Sequence, residues 1–181
     1  MLLDSIHSSL LIIDVQEKLL PAMHEGERVL ARAQILIKAA QELELPITIS
    51  EQYPKGLGKT VAAIEAPTAK VFEKTSFSCW RDATMKAHFI NHHEHDRPLI
   101  IVAGIEAHVC VLQSALDLHH AGFGVFVVAD ATSSRKQESV DLALARLRQT
   151  DIQVINAEMA IFELLGRAGT PQFKALSALI R

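Results

Sequence analysis

Along this chain, short runs of aliphatic and β-branched residues alternate with segments whose apolar residues return every three or four positions. The runs are "SLLIID" (9–14), "LPITIS" (45–50), "AKVFEK" (69–74), "PLIIVAG" (98–104), "FGVFVVAD" (123–130) and "DIQVINA" (151–157). They read as nearly continuous apolar strands, as expected where both faces of a parallel sheet are covered. Between them, "RVLARAQILIKAAQEL", "VLQSALDLHH" and "ESVDLALARLRQ" carry helical spacing. Strand and helix in alternation predict the α/β class: a three-layer α/β/α sandwich around a mainly parallel, Rossmann-like sheet. A length of 181 residues fits one such domain and leaves little room for two, so residues 1–181 are read as a single domain.

Local signals place some boundaries. Ser134 followed by Gln137 has the pattern of a capping box, predicting a helix from there to about Arg148. Gly122 in "HAGFG" is the natural stop of the preceding helix. A hydrophobic share of 49% and a charged share of 22% leave little scope for disorder. The formal net charge is −3 and no dense run of Lys or Arg occurs, which argues against nucleic acid as a partner. The opening "MLLDSIHSSLLIID" lacks a basic flank and a small-residue cleavage site, and its apolar run is only strand length. A cytoplasmic protein without a membrane partner is therefore expected.

In parallel sheets of this kind, ligands bind beyond the carboxyl ends of the strands. Asp14, Glu51, Lys74, Cys110 and Asp130 all fall at or just past a predicted strand end, so these side chains are expected to face one crevice. Cys110 falls on the predicted first turn of a helix, where unpaired N–H groups and the helix dipole favour a thiolate. An ordinary thiol, with a pKa near 8.5, is only a few per cent ionised at about pH 7, and a lowering of about two units would make the thiolate predominate. Asp14 is either a helix cap for "VQEKLL" or an acid in use. Lys74 is either a solvated charge or a cation held among Phe72, Phe77 and Trp80. Together an Asp, a Lys and a Cys offer a base, a cation and a nucleophile for covalent catalysis.

Other signals carry less. "HFINHHEHDRP" is rich in histidine, but it precedes the strand at 98, on the amino side of the sheet, and reads as a solvated helix end. His108 is two residues from Cys110, and side chains two apart on a helix do not face each other. "GLGKT" lacks the first glycine of a phosphate loop. Cys79 and Cys110 lie in unrelated contexts and read as reduced thiols.

The segments "LLIIDVQEKL", "ISEQYPKGLGKT", "FEKTSFSCW", "VAGIEAHVCVLQSALDL" and "VVADATSSR" resemble, in order and spacing, those of the isochorismatase-like hydrolases, or cysteine hydrolase superfamily. "EQYPKGLGKT" and "ADATSSR" are most similar to the metal-free branch of isochorismatase domain-containing proteins. The resemblance implies a six-stranded parallel sheet and a triad of Asp14, Lys74 and Cys110. It also implies a cis peptide near Ile105–Glu106 that turns backbone N–H groups of Ile105, Glu106 and Ala107 toward a substrate oxyanion. Gln16, Glu51, Tyr53, Phe77 and Trp80 become candidates for the wall of a small-molecule pocket. Nicotinamidases of the superfamily carry an Asp-x-His metal motif where this chain has "EQY", so no metal and no cofactor is expected. True isochorismatases carry glycine where Cys110 stands. The retained sulfur points to acyl chemistry on a small amide or related C–N bond. Relatives form dimers and larger rings, so a homo-oligomer is expected. Two other readings stay open: a non-catalytic metabolite-binding or scaffolding protein on this fold, and a redox-active thiol protein.

Overall fold

The computed structural model describes residues 1–180. Its strands are β1 (Ser8–Ile13), β2 (Ile47–Gln52), β3 (Lys70–Lys74), β4 (Leu99–Ile105), β5 (Gly124–Ser133) and β6 (Gln153–Ile155). They form one six-stranded sheet in the order β3-β2-β1-β4-β5-β6, with every neighbouring pair parallel. The helices are α1 (Gly26–Glu42), α2 (Pro54–Leu57), α3 (Ala83–Glu94), α4 (Leu112–His120), α5 (Gln137–Leu147), α6 (Ala157–Leu165) and α7 (Pro171–Ser177). The chain steps outward from β1 to β3 and then crosses back to β4 on the other side of β1. The carboxyl ends of β1 and β4 thus flank the switch point where a crevice opens in doubly wound sheets.

Alternation of side chains along each strand supplies two cores. Leu10 and Ile12 of β1 point to one face, against Val29, Ala33, Leu36, Ile37 and Ala40 of α1 and against Ala160 and Leu164 of α6. Leu11 and Ile13 point to the other, with Met85 and Phe89 of α3, Ala115 and Leu118 of α4, and Val140 and Leu147 of α5. The spacing of three and four among the α1 residues lays one stripe on the sheet, and each fully buried aliphatic side chain contributes about 1.5 to 3 kcal/mol.

Two strands depart from the continuous apolar reading. β3 is an edge strand on which only Lys74 is buried, and Val71 is 52% exposed. β2 alternates: Ile47 and Ile49 enter the first core, while Thr48 and Ser50 are buried on the opposite face. The predicted capping box is also corrected. α5 opens at Gln137 after Lys136, and Ser134 instead shares a 2.9 Å hydrogen bond with His108 Nδ1. The Gly122 stop stands, with φ +95° just beyond α4.

Gly104 shows why the sheet can close tightly beside the switch point. Its φ is +120°, and a Cβ there would lie 2.1 Å from the Ile13 carbonyl oxygen. No side chain fits between the ends of β1 and β4.

Candidate active site

β1 ends at Ile13, and Asp14 follows in the left-handed region (φ 53°), a conformation aspartate tolerates better than most residues. Its N–H still donates to the Ser50 carbonyl, so its carboxyl group is fixed just past the sheet. The β2–β3 register pairs Gln52 with Lys74, which brings both side chains to the same edge of the sheet. Lys74 Nζ donates to Asp14 Oδ2 at 2.8 Å, and Ser50 Oγ donates to Asp14 Oδ1 at 2.7 Å. Neither side chain of this ion pair has any exposed surface (0% for both). Cys110, 6% exposed, lies beside Asp14, close enough for the carboxylate to act on its thiol by charge and by hydrogen bonding.

The polypeptide turns into the site through a cis peptide between Ile105 and Glu106. After it comes a widened turn, Ala107–Val111, in which the Val111 N–H reaches back to the Glu106 carbonyl at 3.2 Å. Ile105 and Ala107 are buried, and the Glu106 carboxylate pairs outward with Arg135 Nε at 2.9 Å. Cys110 is the fourth residue of this turn, ahead of α4.

The electrostatics correct one expectation. Burial pushes the Cys110 thiol well up from its ordinary value, the Asp14 charge adds to the effect, and Lys74 only partly opposes it. Desolvation and a neighbouring anion outweigh the helix-terminus field, so the resting sulfur is a thiol. Asp14 is itself raised above the ordinary carboxylate range, because burial exceeds the pull of Lys74 and Ser50. Lys74 is held above the ordinary lysine value: burial works against its charge, but the Asp14 carboxylate, with the two sulfurs where they ionise, outweighs it. The resting site is thus an ion pair of zero net charge beside a neutral thiol. Cys79, wholly buried behind it, is pushed up to about 11 by burial, and its N–H donates to Ser114 Oγ at 2.9 Å.

The remaining sequence candidates divide. Gln16 is fully buried and locked: its Nε2 donates to the Gln52 and Gly58 carbonyls at 3.0 and 2.6 Å, and its Oε1 accepts from Gln52 N at 2.7 Å. Glu51 Oε1 accepts from the Thr60 N–H and hydroxyl at 2.7 and 2.8 Å. Both side chains tie the segment 53–61 across the end of β1, so they are tethers and not pocket walls. Trp80 turns away, stacking edge-on to Phe123 at 5.8 Å, ahead of β5 and beyond the far end of α4. Phe77 is 55% exposed and reaches the site through its carbonyl, 3.3 Å from Lys74 Nζ. Tyr53, also exposed and at φ 37°, lines a cavity of about 330 Å³ with Lys55, Glu73 and Asp82 on the outer side of Lys74. Asp130 does not join the crevice. Its Oδ1 accepts from Ala157 N at 2.8 Å and its Oδ2 pairs with Arg32 at 3.2 Å, holding α6 and α1.

Ser50 and Gln52 escaped notice in the sequence, though they hold the ion pair. Their signal was the polar alternation Thr48, Ser50, Gln52 in a strand that should be apolar on both faces. The histidine-rich segment lies on α3, where His88 Nε2 shares a 2.9 Å hydrogen bond with Thr48 and stacks on Phe72 and His92 at 4.9 and 4.2 Å. Among the described residues no group of three or more His, Cys, Asp or Glu side chains converges as a metal site. No helix among them is long and apolar enough to cross a membrane.

Comparison with known proteins agrees with this geometry at the level of family. The isochorismatase domain model matches residues 8–159. The secreted isochorismatase effector Isc1 of Phytophthora sojae is 38% identical over 97% of this chain and 85% of its own length. Isochorismatase domain-containing protein 2 of Xenopus laevis is 38% identical over 96% of this chain and 83% of its own. Among solved structures, the MAR1 ribonuclease from Caenorhabditis elegans matches with a TM-score of 0.91 at 33% identity, covering 99% of this chain and 92% of that one. A match that spans the strands, the cis turn and the residues around the ion pair leaves one conclusion: the chain belongs to the isochorismatase family.

Proposed function

We propose that this protein is a metal-independent cysteine hydrolase that cleaves a small amide or related C–N or acyl bond through a covalent thioester on Cys110. The observation that carries this reading is the buried Asp14–Lys74 pair at 2.8 Å, set beside a neutral thiol. Moving the thiol proton to Asp14 shifts the negative charge from carboxylate to sulfur and leaves the site's total charge at zero. Losing the same proton to solvent would strand a net negative charge in a buried site, which is far more costly. The raised Asp14 and raised Cys110 therefore behave as one coupled pair sharing a proton.

In the reaction, Cys110 Sγ attacks the carbonyl carbon as its proton passes to Asp14, and the carbonyl electron pair moves onto oxygen. Backbone N–H groups of the cis turn stabilise that oxyanion. Those of Val109 and Val111 are spent on the Glu106 carbonyl at 3.1 and 3.2 Å, which leaves those of Glu106, Ala107, His108 and Cys110 as the donors of the turn. Collapse breaks the C–N bond, and Asp14 returns its proton to the leaving amine. Asp14 then takes a proton from water as the water attacks the thioester; collapse breaks the C–S bond and releases the acid, and Asp14 passes its proton to the departing sulfur, restoring the thiol. Lys74 keeps its charge throughout.

A panel of small amides and activated esters, followed by intact-mass measurement, tests this. A Cys110 adduct of acyl mass that turns over in the native protein, accumulates transiently and is absent in Cys110→Ala supports the reading, and Asp14→Asn should abolish turnover. Turnover surviving in Cys110→Ala would sink it. The ribonuclease name belongs to the nematode protein; a net charge of −3 gives a polyanionic substrate no attraction here. We further place the activity in the cytoplasm and on one domain, residues 1–181.

A further inference from the structure

Lys74 Nζ has three protons and four protein acceptors. They are Asp14 Oδ2 at 2.8 Å, Gln52 Oε1 at 2.6 Å, and the carbonyls of Ser76 and Phe77, both at 3.3 Å. With every proton directed at protein oxygen, none is left to donate to the sulfur or to a substrate. The ammonium must act by its field, and a field acts reliably only if its source is held still.

Gln52 is the neutral side chain placed to hold it. Its Oε1 makes the shortest of the four contacts. Its Nε2 donates to the Thr75 carbonyl at 2.8 Å, so the amide cannot flip without setting its NH2 group against the ammonium. Its main chain is clamped by Gln16 on both sides, through N–H and carbonyl. The parallel register sets Gln52 directly beside Lys74. Ser50, two residues earlier on the same face of β2, grips the other partner of the pair.

We infer that Gln52 is a positioning residue: it locks the Lys74 ammonium against Asp14 and within reach of Cys110 by charge, so that the proton exchanged by Asp14 and Cys110 moves in a fixed field. For its catalytic meaning this rests on the hydrolase reading above. Asp14 attracts Lys74 most when it is ionised. An unlocked lysine would follow the carboxylate and deepen the resting state, making the thiolate harder to reach. With Gln52 in place, the ammonium stays where it serves both anions.

The test joins two measurements on the intact protein. The first is nitrogen-15 NMR of the Lys74 ammonium, which involves no substrate and no reaction at Cys110. The wild type should show a slowly exchanging NH3+ signal, Gln52→Leu should lose it to exchange, and Gln52→Glu, which keeps the acceptor oxygen, should retain it. A signal that persists unchanged in Gln52→Leu, or that is absent from the wild type, overturns the inference whatever the enzyme does. The second is the rate of Cys110 alkylation by iodoacetamide as a function of pH. Gln52→Leu should slow it about tenfold near neutrality, the equivalent of one pH unit. Gln52→Glu, which adds a negative charge beside the ammonium, should slow it through that charge alone, so it serves as the control that keeps the lock; if Gln52→Leu does not fold, Gln52→Ala replaces it in both measurements, with the same outcomes expected. Wild-type alkylation rates in the folded variants overturn the inference while leaving the thioester chemistry to stand or fall on the acyl-adduct experiment.

Discussion

Two clusters of titratable side chains lie along β2, one past its carboxyl end and one over its amino half, and they meet burial in opposite ways. At the carboxyl end, the side chains of Lys74 and Asp14 are fully buried, but each meets the opposite charge at 2.8 Å and further polar partners besides, which oppose the effect of burial. Over the amino half, His88 packs between Phe72 and His92, and both histidines stay neutral. Burial holds both below the ordinary histidine value, and the neighbours that act on them, His92 and Lys70 on His88 and then Arg97, Lys70 and His95 on His92, all add positive charge. No carboxylate joins either set. Burial acts on both clusters, and whether the neighbours oppose it or add to it depends on their sign, which counting acids and bases in a stretch of sequence does not reveal.

The contrast can be broken most forcefully at the ion pair. Lys74→Met leaves the Asp14 carboxylate buried without its counter-charge and should cost about 3 to 5 kcal/mol in a urea titration. Adding Asp14→Asn in the same chain should restore most of that loss, because the variant then buries no charge. If Lys74→Met is neutral, the pair is better solvated than its geometry implies and the contrast fails. Ser50→Ala removes one donor from the carboxylate and should cost about 1 to 2 kcal/mol. It should also push Asp14 further up, so that the acid limb of any activity profile moves to higher pH.

The histidine cluster supplies the opposite test. His88 titrates at about 4 in the fold against an ordinary 6.5, so the fold selects the neutral ring. Its contribution to stability is therefore fully present above pH 6.5 and is lost as the pH falls through that window toward 4. Thermal unfolding midpoints should drop across this range in the wild type, and less steeply in His88→Leu. Equal slopes would show that the histidines already reach solvent. The smallest effect is expected at the exposed partner of Glu106: Arg135→Ala should change stability by less than about 1 kcal/mol.

How much of this was legible beforehand follows from the same distinction. Strand-and-helix alternation is a local property, and it gave the layers, the parallel sheet and the placing of Asp14, Lys74 and Cys110 at strand ends. Which way a side chain turns at those ends depends on partners far away in sequence. Glu51 meets Thr60, Asp130 meets the start of α6, and Trp80 meets Phe123, and none of these pairings leaves a mark in the local pattern. The direction in which the Cys110 thiol is pushed was hidden for a related reason. The field of a helix terminus can be inferred from position alone, whereas the larger effects of burial and of a carboxylate brought from β1 cannot. The alternation of Thr48, Ser50 and Gln52 was visible, and read by its period of two it would have marked a polar face turned toward the ion pair.

The segment 53–61 carries a last consequence. It holds only the single helical turn of α2 and one bridge, and surface connections of that kind ordinarily absorb insertions and deletions. Here Gln16 and Glu51 reach out from beneath it to Gly58 and Thr60, and Gln16 pairs with Thr60 in an isolated antiparallel bridge. Adding or removing one residue between Tyr53 and Thr60 would pull both anchors out of step, and Gln16 lies two residues after Asp14, to whose carbonyl its N–H donates at 2.8 Å. The length of this connection is therefore fixed almost as firmly as the register of a strand. An engineer seeking to reshape this surface has more freedom in the identities of its exposed residues, Lys55 and Lys59 among them, than in their number.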